Sequence, residues 1–323
     1  MKILYITANQ RNDFMSDTVF HGLKSLFGDD VIDLNPIWYM YNTVDKPSLI
    51  NQLHGRGFTL AGTIQSSEVD RTDIDHKIKN NHFDLIVYGA IYRCLDKLEL
   101  VLKHYPKNKI IFIDGDDVTD IQTPEPITQF PSACLDRYSI HIQQPSIVDK
   151  GLYFKRELTV DYARRYPYIF PITFGIPAEK IVNSNSIEKS KLLATNRPGS
   201  VDTLVFYTEH DYYQDYQQSL FGLTWKKAGW DCLRHYEIMA NGCIPLFLDI
   251  KQCPSTCLFN FPKLTLVECW KSIKNVDLNK LTDIIFEYDN GKINNFDMRV
   301  FDNLDVDDDI RSINEVSVFG EEL

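Results

Sequence analysis

Residues 2–34 read KILYITANQRNDFMSDTVFHGLKSLFGDDVIDL, and this stretch predicts the fold of the first half of the chain. Residues 2–8 are mostly apolar and rich in strand-forming side chains, which predicts a buried strand. Apolar residues then recur at the spacing of one helix face until Gly28, which favours the end of a helix. Residues 31–34 predict a second short strand. A β-α-β opening of this kind is typical of an open parallel sheet.

The alternation of strand and helix continues beyond this opening. Residues 83–89 (FDLIVYG) and 109–114 (KIIFID) predict two further buried strands, and the segment 95–105 between them has the pattern of a helix. We therefore expect a Rossmann-like domain over residues 1–170. The loop after the first strand contains no glycine, so the classical dinucleotide-binding fingerprint is missing.

A second α/β domain is expected after a connector. Residues 171–200 contain three prolines and a polar run, which is typical of a linker. Residues 204–207 (LVFY) predict the first strand of a new β/α unit, and a helix is expected near 213–220. Residues 201–323 therefore form the second predicted Rossmann-like domain, which carries an acidic C-terminal tail. We expect the two domains to face a cleft.

Composition limits the class of protein. With 323 residues and 44% hydrophobic side chains, the chain is long enough for two domains with buried cores. No apolar run approaches the ~20 residues of a membrane-spanning helix, and the first residues lack the pattern of a signal peptide. The seven cysteines are odd in number and lack paired spacing, which favours reduced thiols and a cytoplasmic protein.

The distribution of charge argues against a broad nucleic-acid-binding face. The chain carries a net charge of −11, and nine acidic residues and two arginines within 297–323 account for −7 of it. The remaining −4 makes residues 1–296 mildly acidic, whereas nucleic-acid binding is normally indicated by a basic patch. Nucleic acid is therefore not an expected partner, although a local basic patch is compatible with these totals.

Residues 219–245 read SLFGLTWKKAGWDCLRHYEIMANGCIP and hold the most informative polar side chains. Gly222 and Gly229 are expected to bracket a loop that approaches a ligand closely. A following helix would place Arg234 and Glu237 on one face, three residues apart. This spacing fits an exposed ion pair worth ~0.3 kcal/mol. It also fits a phosphate-binding cation beside a carboxylate that accepts hydroxyl protons from a ribose.

The order of residues in this stretch resembles the donor-binding region of exostosin-type glycosyltransferases. The matching positions are Ser219, Phe221, Leu223, Gly229, Arg234, Glu237, Gly242, Cys243, Ile244 and Pro245. The stretch is also similar to the looser glutamate-containing helix of the wider GT-B group. It covers 27 of the 323 residues, and the proline-rich loop common in exostosins is replaced by TWKK at 224–227.

The resemblance implies a GT-B fold, in which two Rossmann-like domains face a cleft and the second domain holds most of a nucleotide-sugar donor. It places Arg234 near the phosphates and Glu237 on the ribose. Backbone N–H groups near Asp231 would add further phosphate contacts. The residues expected at the donor are Arg234, Glu237, Thr224, Lys226, Lys227, Gly229 and Trp230.

A predicted strand ends in the acidic cluster Asp114-Gly115-Asp116-Asp117. Ligands bind at the carboxyl ends of strands in open α/β sheets, so these acids are candidates for chemistry. Three alternatives fit: catalytic acids in an acceptor cleft, a cluster that caps a turn, or an Asp-x-Asp metal site. We expect the first alternative and no metal, with Asp116 as general base and Asp114 beside it. Asp114, Asp117 or Asp13 could serve as the base instead.

Lys155 and Arg156 follow the apolar residues 152–154 and are expected at the end of a strand. Two alternatives fit this position. The two cations contact a phosphate or an acceptor, or they are solvated surface charges.

The expected activity is the transfer of a sugar from a nucleotide-sugar donor to a hydroxyl group of a glycan or other acceptor, without a cofactor or a metal. Two alternatives stay open. One is a DNA-base glycosyltransferase of the phage type, which the mildly acidic body argues against because neutralising phosphates normally requires a basic groove. The other is a protein that binds a nucleotide or a sugar without catalysis.

Overall fold

The structure, a computed structural model, describes residues 1–9, 12–49, 51–119, 121, 147–183 and 187–272. The predicted acidic tail at 297–323 lies outside the described residues. The chain divides into two compact units. The first contains Met1–Ala178, Ala228–Tyr236 and Pro254–Phe259, and the second contains Glu179–Lys227, Glu237–Cys253 and the residues from 260 onward.

The first unit is built on a six-stranded parallel sheet. Its strands are β1 (Ile3–Ile6), β2 (Val31–Asp33), β3 (Leu85–Tyr88), β4 (Ile110–Asp114), β5 (Leu152–Lys155) and β6 (Ile169–Pro171). Their order is β2-β1-β3-β4-β5-β6, and every neighbouring pair is parallel. The predicted α/β class is confirmed, and this sheet is compatible with a Rossmann-like fold.

Helices alternate with these strands along the chain. They are α1 (Phe14–Phe27), α2 (Lys46–Leu49), α3 (Ile74–Lys79), α4 (Leu98–His104) and α5 (Val160–Arg165). α1 begins after Asp13, whose carboxylate accepts a hydrogen bond from the backbone N–H of Ser16 at 3.1 Å. It ends at Gly28, where φ is 55°, a conformation that suits glycine. The predicted β-α-β opening is therefore present as β1, α1 and β2.

The sheet of the first unit is covered on both faces. Successive side chains of a strand point to opposite faces. In β1, Leu4 and Ile6 belong to one apolar core, whereas Ile3 and Tyr5 belong to another. All four are fully buried, which explains why this strand is a continuous apolar run and not an alternating one.

The second unit has a three-stranded parallel sheet of its own. Its strands are β7 (Lys191–Leu193), β8 (Ser219–Thr224) and β9 (Ile244–Phe247), in the order β7-β8-β9. The helices along this part of the chain are α6 (Glu209–Gln218), α7 (Leu233–Ala240) and α8 (Lys263–Ser272). Across the described part of the chain, no helix combines the length and the apolarity needed to cross a membrane.

The strand predicted at residues 204–207 is wrong. These residues have no regular secondary structure, and the side chains of Leu204 and Tyr207 are exposed. The run leads instead into α6, which Thr208 caps. The first strand of this sheet is β7, inside the predicted connector, where the ammonium of Lys191 forms an ion pair with Asp215 of α6. A short apolar run does not show which strand it pairs with. Long-range pairing therefore decided whether residues 191–193 or residues 204–207 form the first strand of this sheet.

Gly222 is a strand residue and not the loop residue that its spacing predicted. The helix expected over 213–220 ends at Gln218, and the chain continues directly into β8. A Cβ atom at Gly222 would lie 2.9 Å from the side chain of Ile238 on α7. The glycine therefore allows close packing between a strand and a helix.

Candidate functional site

The carboxyl ends of the strands in the first unit form an edge that gathers polar side chains, which we call the first edge. β2 and β3 lie on opposite sides of β1, so the direction of the strand order changes between β1 and β3. Open α/β sheets bind ligands at such a point. The residues that follow β1, β3, β4 and β5 are therefore the first place to look for a site.

Asp13 and Tyr92 meet at this point of the first edge. Asp13 follows β1, and its carboxylate accepts a hydrogen bond from the hydroxyl of Tyr92, which follows β3. Nε of Arg93 lies 3.3 Å from the same carboxylate. Burial, and then the charge of Asp13, raise the pKa of Tyr92, so its hydroxyl stays protonated and donates. Asp13 was predicted only as a substitute base, and Tyr92 and Arg93 were not predicted, although both lie shortly after the predicted strand at 83–89.

A second carboxyl group lies one turn into α1. Asp17 accepts hydrogen bonds from the hydroxyl of Tyr39 at 2.7 Å and from the backbone N–H of Asp13 at 3.1 Å. Burial and the nearby charge of Asp13 raise the pKa of Asp17 well above its usual range. The neutral form of Asp17 is therefore favoured relative to a carboxyl group in water.

Asp114 forms an ion pair in the interior of the first unit. It ends β4, and its Oδ1 lies 2.9 Å from Nζ of Lys155, its partner in the register of β5. Its Oδ2 accepts a hydrogen bond of 2.5 Å from the hydroxyl of Tyr153. Lys155 is 0% exposed, so the alternative that Lys155 is a solvated surface charge is wrong. Its ammonium therefore balances the charge of the Asp114 carboxylate.

Asp116, the other predicted catalytic acid, lies close enough to Tyr92 for its charge to act on the tyrosine hydroxyl. Its negative charge contributes to the raised pKa of Tyr92, after burial and Asp13. Its Oδ1 accepts a hydrogen bond of 2.7 Å from the backbone N–H of Asp117, and the side chain is 6% exposed. A Cβ at Gly115 would lie 2.6 Å from Met15, so the glycine lets this loop approach α1. The structure thus brings Asp116, Tyr92 and Asp13 together.

Arg156 is also buried, so the surface alternative is wrong for it as well. Its guanidinium forms an ion pair with Asp117 and donates to the backbone oxygen of Asp231 at 2.9 Å. It stacks over the ring of Phe174 at 5.3 Å from the ring centre. Arg156 therefore joins the end of β5 to the segment that precedes α7.

Glu157 binds the backbone N–H groups that were expected to bind a diphosphate. Its carboxylate accepts from the N–H of Trp230 and from the N–H of Asp231, each at 3.0 Å. A Cβ at Gly229 would lie 2.6 Å from the same carboxylate. In this structure these two N–H groups therefore donate to a side chain of the protein. Glu157 was missed because it lies 73 residues from Trp230 in sequence, and no local pattern links the two.

The carboxyl ends of the strands in the second unit form a separate edge, which we call the second edge. Thr224 ends β8 and is fully buried. The backbone N–H of Lys226 donates to Oδ1 of Asp249, which follows β9, at 3.1 Å. Lys226 is half-buried and Lys227 is exposed. The second edge therefore presents two cations beside the end of its central strand.

Glu237 ends a directional chain of hydrogen bonds in the second unit. The amide of Asn196 donates to the hydroxyl of Tyr216 at 3.4 Å, and the hydroxyls of Tyr216 and Tyr212 are 3.3 Å apart. The hydroxyl of Tyr212 donates to Oε2 of Glu237 at 2.7 Å. Burial and the charge of Glu237 raise the pKa of Tyr212, which keeps this donor protonated. Glu237 is 6% exposed, so the alternative of an exposed ion pair is wrong for its carboxylate.

The predicted donor residues fall in different units. The second unit contains Thr224, Lys226, Lys227 and Glu237. The first unit contains Gly229, Trp230 and the half-buried Arg234. Among the described residues, no group of three or more histidine, cysteine, aspartate or glutamate side chains is arranged to hold a metal ion.

The two edges offer different chemistry. The first combines carboxylates, which can take a proton from a bound hydroxyl, with a tyrosine and an arginine, which donate hydrogen bonds. The second presents two lysines, which can bind phosphates, and Glu237, a carboxylate that can accept from sugar hydroxyls, lies on the helix that follows its central strand. Comparison with known proteins finds no matching protein-family model and no curated protein or solved structure with a significant match.

Proposed function

We propose that the chain is a glycosyltransferase that moves a sugar from a nucleotide-sugar donor to a hydroxyl acceptor, with its two units in a GT-B arrangement. The observation that carries this proposal is the second parallel sheet. The stretch 219–245, which resembles a donor-binding region, forms β8, α7 and the start of β9 in chain order. Its glutamate lies buried on the helix that follows the central strand, and this position supports the proposal.

The contacts of Glu237 support a role in binding the donor. A carboxylate that accepts both hydroxyl protons of a ribose has to be held in one orientation. Tyr212 supplies this restraint through its hydrogen bond to Oε2. Lys226, Lys227 and Arg234 would neutralise the diphosphate, a role that cations perform through charge-assisted hydrogen bonds.

The first edge supports a role in activating the acceptor. In the proposed step, the acceptor hydroxyl attacks the anomeric carbon, its proton passes to a carboxylate, and the nucleoside diphosphate leaves. Asp116 is the proposed base, because Asp114 is already neutralised by Lys155. Fixed cations stabilise the leaving diphosphate, so the reaction is expected to need no divalent metal.

Calorimetry with nucleotide sugars tests the donor site. Glu237→Gln and Arg234→Gln should each weaken donor binding by about 10- to 150-fold, the weight of one charge-assisted hydrogen bond. Glu99→Gln, a change on the exposed face of α4, is the control and should bind as the wild type does. Unchanged affinity in both test variants would remove the assignment, and binding without transfer or hydrolysis would favour a non-catalytic binding protein.

Transfer assays test the acceptor site and the metal together. Asp116→Asn should lower turnover by about 10²–10⁴-fold, the usual weight of general-base catalysis, with donor affinity nearly unchanged. A chelator should leave the wild-type rate unchanged. Full activity of Asp116→Asn would exclude Asp116 as the base, and loss of activity on chelation that Mn²⁺ restores would favour the Asp-x-Asp metal site instead.

A further inference from the structure

Trp38 is a large aromatic residue that stays partly exposed in the first unit. It is 39% exposed, whereas its chain neighbours Ile37 and Tyr39 are buried. Single exposed apolar residues are common on protein surfaces, so exposure alone indicates nothing. The informative feature of Trp38 is that its indole ring is held in one position, beside the carboxyl ends of β1 and β2.

Two contacts hold the ring of Trp38. The indole Nε1–H donates to the backbone oxygen of Asn9, which lies after β1, at 3.1 Å. The ring of Tyr39 packs against the indole at an interplanar angle of 88°, with the ring centres 5.6 Å apart. A contact between two perpendicular rings covers at most one face of either ring. The exposed part of the indole is therefore a rigid apolar surface whose polar N–H is already satisfied.

The loop that carries Trp38 is tied to the residues after β1. The side-chain amide of Asn9 donates to the backbone oxygen of Pro36 at 3.1 Å. The side-chain amide of Asn35, which lies after β2, donates to the backbone oxygen of Thr7 at 3.1 Å. Together with the bond from the indole, these contacts join residues 35–38 to residues 7–9 at both ends of the loop.

A pair of polar side chains lies at the start of the same loop. Nδ2 of Asn35 also donates to Oδ2 of Asp96 at 3.2 Å, and Asp96 is exposed. Within the described part of the chain, Oδ1 of Asn35 accepts no hydrogen bond. A carboxylate offers about four acceptor positions, so Asp96 can accept further hydrogens. The pair therefore provides hydrogen-bond acceptors in the loop that presents the exposed ring.

We propose that Trp38, Asn35 and Asp96 form a subsite that binds one sugar ring of a glycan acceptor. A sugar ring has an apolar face of C–H groups and a rim of hydroxyl groups, so it matches an aromatic surface that is bordered by hydrogen-bond acceptors. The inference names the class of acceptor that the proposed function leaves open. It rests on that function only in treating the bound sugar as an acceptor, because binding itself needs no transfer step.

The charge of this surface favours a sugar over a nucleotide. Nucleic-acid bases also stack on aromatic rings, but a nucleotide brings negatively charged phosphates with it. Asp96 forms no ion pair within the described part of the chain, and the adjacent Lys97 pairs with Asp75 at 2.8 Å. A carboxylate without a cation beside it repels phosphate. The chemistry of the subsite therefore suits hydroxyl groups.

A glycan array followed by calorimetry tests the subsite without a transfer assay. The full chain is screened on the array, and the glycan with the strongest signal is titrated into the wild type and into Trp38→Leu. This change keeps an apolar side chain but removes the ring, and it should weaken binding by about 10-fold, the weight of ~60 Å² of lost apolar contact. The absence of glycan binding by the wild type, or equal affinity of the two proteins, would overturn the proposal.

Phe170→Leu is the matched control for the loss of a ring. Phe170 is also 39% exposed, and it lies in the first unit on β6, at the other end of the sheet from β2. The variant should bind the glycan as the wild type does. An equal loss of affinity in Phe170→Leu and Trp38→Leu would overturn the proposal. A loss of affinity for UDP in Trp38→Leu would also overturn it, because the ring would then stack on a base.

Asp96→Asn tests the polar pair. It removes one charge at nearly constant size and should weaken binding of the same glycan by about 10-fold, the weight of one hydrogen bond to a charged group. Glu99→Gln removes an exposed carboxylate of α4 and should leave the affinity unchanged. Full affinity of Asp96→Asn would exclude the pair from the subsite and overturn the proposal in this form.

A separate assay of nucleotide-sugar hydrolysis and transfer distinguishes failure of this inference from failure of the proposed function. A wild type that transfers sugar, with the same KM for the glycan in Trp38→Leu, would contradict the subsite alone. A wild type that binds the glycan through Trp38 but neither hydrolyses nor transfers would contradict the proposed function alone.

Discussion

The protonation of Asp231 is coupled to folding. Its carboxyl group is buried, and desolvation raises its pKa to about 7. The backbone N–H of Phe174 donates to its Oδ2 at 2.9 Å and partly offsets this effect. In the unfolded chain the pKa of the same group is ~3.9. Between these two values the folded protein holds a proton that the unfolded chain has lost.

This difference predicts a pH dependence of stability. The free energy of unfolding should fall as pH rises from about 4 to 7, by up to ~1.4 kcal/mol per pH unit from this group, and then level off. Asp231→Asn cannot ionise and should remove that part of the slope. Urea unfolding of both proteins between pH 4 and 8 measures it. Asp17 titrates in the same direction but is present in both proteins, so equal slopes would contradict the assignment.

The packing of helix on strand in the second unit depends on one missing side chain. Gly222 of β8 lies where a methyl group would collide with Ile238 of α7. Gly222→Ala should therefore destabilise the protein by about 1–3 kcal/mol, the usual cost of overpacking a core. Chemical denaturation measures the change.

Two variants separate overpacking from a general effect of alanine. Gly22 lies on the exposed side of α1, and a methyl group added there would have no neighbour within 4 Å, so Gly22→Ala should stabilise by ~0.5–1 kcal/mol. Ile238→Ala makes room for the new methyl group. Adding Gly222→Ala to an Ile238→Ala background should therefore cost less than adding it to the wild type. Equal costs would show that the collision is not the cause.

Glu157 and Arg156 both hold the segment before α7 to the end of β5. The carboxylate of Glu157 accepts two backbone N–H groups, from Trp230 and Asp231. Glu157→Ala should expose both amides and raise their hydrogen-exchange rates by about 10-fold or more, since each bond to a charged group is worth ~1.5–3 kcal/mol. Glu99→Ala on α4 is the control. Unchanged exchange at the two amides would mean that other contacts hold the segment.

At the scale of the whole chain, the net charge of −11 predicts weak association with DNA. Binding to a duplex requires cations that displace the counterions of its phosphates. We expect no complex in a mobility-shift assay with hydroxymethylated duplex DNA at about 150 mM salt, the range in which non-specific binding is already weak. A tight complex with steep salt dependence would favour the DNA-base glycosyltransferase alternative over the proposed acceptor.

The sequence alone predicted the elements whose signal is local. Hydrophobic periodicity and helix-ending glycine indicated β1, α1 and β2, and two apolar runs indicated β3 and β4. The order of these elements was enough for the α/β class, because alternating strands and helices favour a parallel sheet. The strand predicted at 109–114 also placed Asp114 at the end of β4, and ligands bind at the carboxyl ends of strands in such sheets.

Tertiary structure alone decided which candidate residues have partners. The register of β4 and β5 pairs Asp114 with Lys155, which excludes the alternative that Lys155 is a solvated surface charge. Pairing with β8 selected residues 191–193 over the more apolar 204–207. Glu157 meets Trp230 across 73 residues of chain. Spacing along the chain carries no information about such contacts, because they form only when the sheet brings distant strand ends to one edge.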